Sequence, residues 1–257
     1  LDRMLDAGII ERTTSEYVSP IVVVPKSDGL VRLCSDMRML NKKSKVDPYK
    51  MPRIDEILDR VGGAKYVTTL DLTKGFYQIP LGEQSRDCTS FVTAFGQFRY
   101  TVLPFGLQNS SSTFQRLMDY VLDDCQDFAC AYIDDICIYS QTWQDHMDQL
   151  KIVFQLLVDA GLTAKPVKCK VARQQVQYLG HVIGNGMVKP MLDKIQAVQD
   201  FPRPITKKNV RAFLGLTGYY RKFVPNFAQI AKPLTDLTKK QAQNTVVWDT
   251  KCENAVL

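Results

Sequence analysis

The run Tyr132-Ile133-Asp134-Asp135 stands between two apolar segments, Phe128-Ala129-Cys130-Ala131 and Ile136-Cys137-Ile138-Tyr139. Segments of that length, rich in β-branched and aromatic residues, read as buried strands. At their junction two adjacent carboxylates would repel each other and lose hydration, at a cost on the order of several kcal/mol per unpaired buried ion. No Lys or Arg lies between Arg116 and Lys151 to offset it, so a divalent cation is the simplest compensation. A hairpin tip facing water is the plain alternative. A third carboxylate, Asp71, interrupts the otherwise apolar Thr68-Thr69-Leu70-Asp71-Leu72. Three acids from two strands could converge on a pair of cations about 3.5–4 Å apart. Such a pair activates an attacking hydroxyl and stabilises the leaving oxygen of an in-line phosphoryl displacement. Hard Mg2+ prefers carboxylate oxygen, so neither His nor Cys need take part. The two histidines, His146 and His181, are widely separated, which argues against zinc.

The elements that must hold these acids follow from periodicity. Residues 2–7 resemble the end of a helix closed by Gly8. Val18–Pro25 and Leu30–Cys34 form a hairpin pattern around Ser27-Asp28-Gly29, where Asp-Gly suits a positive-φ turn. Pro52 opens a helix with Ile54, Ile57, Leu58 and Val61 on one face, ended by Gly62-Gly63. Lys65–Leu72, Phe76–Leu81 and Phe91–Val102 read as strands. A helix from Phe114 precedes the Asp-Asp hairpin. A second covers Met147 to Ala160, with Leu150, Val153, Phe154, Leu157 and Val158 inward. Val176–Ile183 and Met187-Val188 pair across Gly184-Asn185-Gly186. Beyond Pro190 the pattern is helical: Leu192–Phe201, then a helix capped by Thr206 with Val210, Phe213 and Leu214 inward. Strands mixed with helices and followed by a helical arm make an α+β chain.

Composition bounds the reading. The chain has 257 residues, 45% hydrophobic and 23% charged, ordinary globular values that allow one large domain or two to three subdomains. No apolar stretch is long enough to span a membrane, and no signal peptide pattern opens the chain. Seven scattered cysteines without a C-x-x-C pair suit reduced intracellular thiols. The net charge of +6 is uneven: residues 187–257 carry 12 Lys and Arg against 5 acids, while residues 119–159 carry nine acids and one base, Lys151. An acidic centre followed by a basic arm suits a cation site beside a polyanion surface; solvated helix faces would give the same arm. Starting at Leu1 inside a helical pattern, the chain is expected to be a piece of something longer.

The ordered motifs carry a specific resemblance. Val24-Pro25-Lys26, Arg38-Met39-Leu40-Asn41, Leu70-Asp71-Leu72-Thr73-Lys74-Gly75-Phe76-Tyr77-Gln78-Ile79-Pro80 and Leu103-Pro104-Phe105-Gly106-Leu107 come first. Thr113-Phe114-Gln115, Tyr132–Asp135, Tyr178-Leu179-Gly180-His181 and the stretch Ala212 to Asn226 follow. In this order they make the chain similar to the reverse transcriptase of gypsy-type LTR retrotransposons and related retroviral polymerases. The resemblance implies a right-hand fold: fingers at 1–47 and 79–107, palm at 48–78 and 108–186, thumb at 187–240. Residues 241–257 would start a connection towards a ribonuclease H domain that is absent.

The resemblance also assigns roles. Asp71, Asp134 and Asp135 match the metal-binding triad, holding two Mg2+ ions with Mn2+ as a substitute; Asp135 is the less direct ligand. Lys26 and Arg32 match the fingers residues that hold the incoming triphosphate, which suits a point charge and a bidentate fork. Phe76 matches the aromatic that excludes a 2′-hydroxyl, and Phe105 packs near the nucleotide. Tyr178, Leu179, Gly180 and His181 match the primer grip. Lys207, Lys208, Arg211, Arg221 and Lys222 would ride the phosphate backbone. The implied activity is RNA-directed DNA polymerisation, able also to use DNA templates, with template, primer and dNTPs as partners and no membrane. The parent polyprotein would add ribonuclease H and integrase and work inside cells, in cytoplasmic virus-like particles with access to the nucleus.

Two departures from the family pattern stand out. Met37 replaces an aromatic in Ser35-Asp36-Met37-Arg38, and Ser111 stands where proline is usual. They keep open a decayed or co-opted copy that binds nucleic acid without polymerising. An RNA-dependent RNA polymerase is the other rival, and Phe76, as a sugar gate, discriminates against it.

Overall fold

The computed structural model describes residues 1–25 and 31–255, with backbone alone for Arg32 and Asn254. Among them the strands are, in chain order, β1 Ile10–Arg12, β2 Ile21–Pro25, β3 Val31–Ser35, β4 Tyr66–Asp71, β5 Phe91–Thr93, β6 Gly96–Tyr100, β7 Ala129–Tyr132, β8 Asp135–Ser140, β9 Lys170–Arg173, β10 Gln175–Tyr178, β11 His181–Gly184 and β12 Met187–Pro190. The chain divides into two compact units, Leu1–Val176 with Gly184–Gly186, and Gln177–Ile183 with Met187–Leu257. No helix among the described residues is long and apolar enough to cross a membrane.

The first unit is built on a four-stranded sheet of order β7-β8-β4-β9. Side chains alternate across a strand, so Leu70, Ile136, Ile138, Ala129 and Ala131 share one face, the register pairing Leu70 with Ile136. That face is buried against Phe114 and Met118 of the helix Ser110–Val121 and Leu150, Val153 and Leu157 of the helix Trp143–Asp159. A second cluster lies under the sheet β1-β6-β5, where Ile10, Phe91, Phe98 and Tyr100 bury around Met37. Burying each of these large side chains contributes roughly 1.5–3 kcal/mol. The β2–β3 ribbon pairs Ile21 with Ser35 through Pro25 with Val31; its expected Ser27-Asp28-Gly29 turn lies outside the described residues.

Several expectations are corrected. Phe76–Leu81 is not a strand: Lys74, at φ 52°, turns the chain into a 3-10 helix over Gly75–Gln78. That turn sends consecutive aromatics to different places, Phe76 into the sheet-and-helix core and Tyr77 into the cluster around Met37. The helix expected from Phe114 begins at Ser110, and Ser112 Oγ donates to the Asn109 carbonyl at 2.9 Å. Phe154 and Val158, expected inward, are 40% and 69% exposed, because Leu150, Val153 and Leu157 fill the buried stripe and leave these two beside it. Val176–Ile183 is two strands, broken where Leu179 and Gly180 take φ of 44° and 70°.

β10, β11 and β12 form a meander, of which Gln177–Ile183 and Met187–Pro190 belong to the second unit. Thr206 caps the helix Lys207–Tyr219 as expected, in a reciprocal box with Asn209, which satisfies two otherwise orphaned backbone donors. Val210 and Phe213 of that helix bury with Leu234 and Cys252.

Candidate active site

Alternation decides where the acids sit. Asp71 ends β4 and Asp135 begins β8, and the register places them directly opposite each other. Both lie on the face opposite Leu70 and Ile136, away from the two helices, on the two central strands of the sheet. Like charges facing each other across a ladder are destabilising. Asp134 is presented by the two-residue turn that joins Tyr132 to Asp135.

That turn is strained. Ile133 has φ of 58°, a left-handed conformation that a β-branched residue adopts only under constraint, at about 1–3 kcal/mol. The constraint is Gln115, fully buried on the helix Ser110–Val121. Its Oε1 accepts from Ile133 N–H at 2.7 Å, and its Nε2 donates to the Ala131 carbonyl at 3.0 Å and to Asp119 Oδ1 at 2.9 Å. Gly75 completes the setting: a Cβ there would come within 3.0 Å of Asp134 Cβ and 3.1 Å of its Oδ2. Neither role is visible in sequence spacing, although Gln115 and Gly75 both lie in the motifs that carry the family resemblance.

Burial and mutual repulsion both act on the carboxylates of this turn. Burial raises the Asp134 carboxyl above its ordinary range, and Asp71 adds to the rise. Asp135 is pushed up to about 6, first by loss of water around its carboxyl and then by the charges of Asp134 and Asp71. Positive charge reaches the site from downstream: Lys168 Nζ lies 2.7 Å from Asp71 Oδ2, and that hydrogen bond raises the lysine. No group of three or more His, Cys, Asp or Glu among the described residues closes into a metal cage. The three acids gather at one end of the sheet without converging on a common point.

Around the acids, the Phe76 ring meets Phe105 edge-on at 5.1 Å and Phe114 at 5.8 Å. Phe114 anchors this stack in the core, while Phe105 is 47% exposed. Met37 is buried beside Gly106, in the cluster with Ile10, Phe91, Phe98 and Tyr100. Lys26 lies outside the described residues, and of Arg32 only its backbone pairing with Val24 is described.

The remaining expected residues belong to the second unit. Tyr178 and His181 are buried, and between them Leu179 and Gly180 form the turn that reaches the surface. Tyr219 and Tyr220 hold this turn, donating to the Leu179 and Gly180 carbonyls at 2.9 and 3.1 Å. His181 stacks among Tyr219, Tyr220 and Phe223. Lys208, Arg211, Arg221 and Lys222 are exposed and Lys207 is half-buried. Lys207 Nζ and Arg211 Nη2 donate to the Lys240 and Thr238 carbonyls at 3.4 and 3.1 Å.

Residues 24–183 match the family model described as reverse transcriptase (RNA-dependent DNA polymerase). The chain is 41% identical over 95% of its length to the retrovirus-related Pol polyprotein from transposon 297 of Drosophila melanogaster, and 41% identical over 92% to that from transposon gypsy of the same organism. It spans about a quarter of each, 24% of their lengths. Among solved structures it resembles the foamy viral protease-reverse transcriptase dRH in complex with double-stranded DNA, with TM-score 0.91 and 30% identity over 99% of this chain and 45% of that one. It also resembles the foamy viral protease-reverse transcriptase in complex with an RNA/DNA hybrid, with TM-score 0.85 and 30% identity over 99% and 35%.

Proposed function

This chain belongs to the reverse transcriptase (RNA-dependent DNA polymerase) family, and from that premise we propose that it transfers deoxynucleoside monophosphates from dNTPs to a primer 3′-hydroxyl on RNA templates, and on DNA templates as well. The observation that carries the reading is the register that opposes Asp71 to Asp135, with Asp134 presented beside them by a strained, braced turn.

The donor set fits Mg2+: hard carboxylate oxygens, two of them held above their ordinary range first by burial and then by the charge of neighbouring carboxylates. A closed three-acid cage is not required, since Mg2+ is commonly bound by one or two carboxylates together with substrate phosphates and water. Two Mg2+ ions, or Mn2+ in their place, would when bound supply acidity to the 3′-hydroxyl and neutralise the triphosphate. Asp71 and Asp134 would be their principal ligands and Asp135 a less direct one. Phe76, seated on Phe114, offers a rigid wall for the deoxyribose. Lys26 and Arg32 would hold the triphosphate, and the Leu179-Gly180 turn would hold the primer end. The basic residues of the second unit would meet the duplex backbone through sequence-independent contacts. Nucleophile and leaving group both belong to the substrates, so the protein's work is positioning and neutralising. The solved relatives hold double-stranded DNA and an RNA/DNA hybrid, which supports nucleic acid as the partner here. The Pol polyprotein relatives support a longer parent protein, for which we include ribonuclease H and integrase and a role in retrotransposon replication.

Primer extension on an RNA template with dNTPs and Mg2+ tests this, comparing the native chain with Asp134→Asn. Extension by the native chain and its loss in the folded variant is the expected result. A folded native chain that binds the hybrid without extending it would leave a nucleic-acid-binding module.

A further inference from the structure

The acidic end of the sheet has a built-in cation, brought by a segment far along the chain. Lys168 Nζ contacts Asp71 Oδ2 at 2.7 Å, and the segment that carries it is fastened to β4 and the turn after it. Lys165 N–H donates to the Asp71 carbonyl and Thr73 N–H to the Thr163 carbonyl, both at 2.8 Å. Leu72 and Ala164 form an isolated bridge. Gln78 clamps Thr163 from both sides, its Nε2 donating to the Thr163 carbonyl at 3.1 Å and its Oε1 accepting from Thr163 N–H at 2.6 Å. Pro166 then opens the 3-10 turn Pro166–Lys168, its ring fixing φ at the first residue of that turn. The backbone therefore delivers Lys168 to the acids, while its side chain remains 56% exposed against 28% for Asp71. One end of the ion pair is anchored and the other can swing into water.

Resting on the metal reading above, we infer that Lys168 is a tethered counter-cation of the acidic turn. It neutralises Asp71 while no divalent cation is bound and gives up that carboxylate when one arrives. Three carboxylates with no counter-charge would repel one another in the metal-free chain, and the Lys168 ammonium removes part of that repulsion. A divalent ion on Asp71 would repel an ammonium seated on the same carboxylate. Uptake is thus an exchange of an internal ion pair for a metal–carboxylate bond, and Lys168 is a positioning residue that sets how much free metal the site needs.

Manganese binding tests this directly, read as loss of the free Mn2+ electron paramagnetic resonance signal, without nucleotide or primer. Lys168→Met is expected to bind Mn2+ about two- to fivefold more tightly than the native chain, the range of a partly exposed ion pair. Lys168→Arg should bind as the native chain does. The gain should shrink as KCl is raised, because screening weakens the pair that the native chain must break. Lys165→Met removes a neighbouring charge whose backbone, not its ammonium, is bonded to Asp71; a gain as large as that of Lys168→Met would replace exchange with diffuse charge and overturn the proposal. In EDTA, Lys168→Met should melt below the native chain, and the gap should close at saturating Mn2+. Lys168→Gln serves if the methionine variant does not fold. A folded, charge-neutral variant that binds Mn2+ no more tightly than the native chain overturns the proposal. Asp134→Asn separates it from the metal reading: equal Mn2+ uptake by native chain and Asp134→Asn removes the metal site itself, and the exchange with it.

Discussion

Gln115 holds Ile133 in a left-handed conformation that the isoleucine would not adopt unaided: the amide oxygen accepts from Ile133 N–H at 2.7 Å while φ is 58°. Replacing Gln115 by Ala leaves that N–H and the Ala131 carbonyl without their partner. A loss of about 1–3 kcal/mol is expected for unmet buried groups, measured by denaturant unfolding, together with at least a tenfold fall in primer-extension rate, roughly 1.4 kcal/mol of barrier. Native-like extension by Gln115→Ala would show that the turn keeps its shape without the brace.

Gly75→Ala separates activity from stability. Its new Cβ would press on Asp134 at 3.0–3.1 Å, and the carboxylate must yield by a few tenths of an ångström. No positive φ stands against alanine there, and the less flexible unfolded chain contributes about 0.4–1 kcal/mol in its favour. Extension should therefore drop by an order of magnitude, given the sensitivity of rate to small misplacements, while the melting temperature stays within a few degrees of native. Undiminished extension would mean that Asp134 does not need its present position.

Phe76→Ala opens the wall formed with Phe105 and Phe114. Truncating a large, partly buried aromatic should cost roughly 2–4 kcal/mol, so Phe76→Val is a useful milder partner. Competition between dNTP and rNTP on the same primer should show discrimination falling at least tenfold, with dNTP use reduced far less. Unaltered discrimination in a folded variant removes Phe76 as the sugar gate and reopens the RNA polymerase reading.

His146 makes the fold sensitive to acid. It is fully buried, its Nδ1 is 2.8 Å from Ser140 Oγ and its Nε2 2.8 Å from Thr68 Oγ1. Ser140 Oγ donates to Gln149 Oε1, so it accepts from His146 Nδ1–H. Thr68 Oγ1 accepts from Ala172 N–H at 2.9 Å and donates to the unprotonated Nε2. Burial lowers the imidazole below its ordinary value, so the folded state favours the neutral ring. Stability from this source is complete above the unfolded value of about 6.5 and is lost as pH falls through the lower folded value. Melting curves between pH 8 and 5 should drop more steeply for the native chain than for His146→Asn. Parallel curves would place the acid sensitivity elsewhere.

Much of this arrangement was legible in the chain. Asp71, Asp134 and Asp135 stood out because charge interrupting an apolar strand needs a reason, and the order of motifs tied them to one family. Strand and helix periods located β4, β7, β8 and the flanking helices. Patterns failed where the backbone leaves its usual regions: the left-handed Lys74 turned an expected strand into a 3-10 helix, and Leu179 with Gly180 split another. The helix Trp143–Asp159 kept its place but not its full expected face, since Phe154 and Val158 lie outside the stripe the sheet can cover.

The sequence by itself determined which residues carry charge, where β and α periods run, and which family the chain belongs to, because those follow from residue type and spacing. Tertiary structure alone decided that Asp71 faces Asp135, that Gln115 holds the turn, that Gly75 makes room for Asp134 and that Lys168 answers the acids. No Lys or Arg lies between Arg116 and Lys151, and Lys168, which pairs with Asp71, arrives from 97 positions away. Pairing register and chain crossing set such distances, and neither leaves a local mark, since a hydrogen bond depends on separation in space and not along the chain.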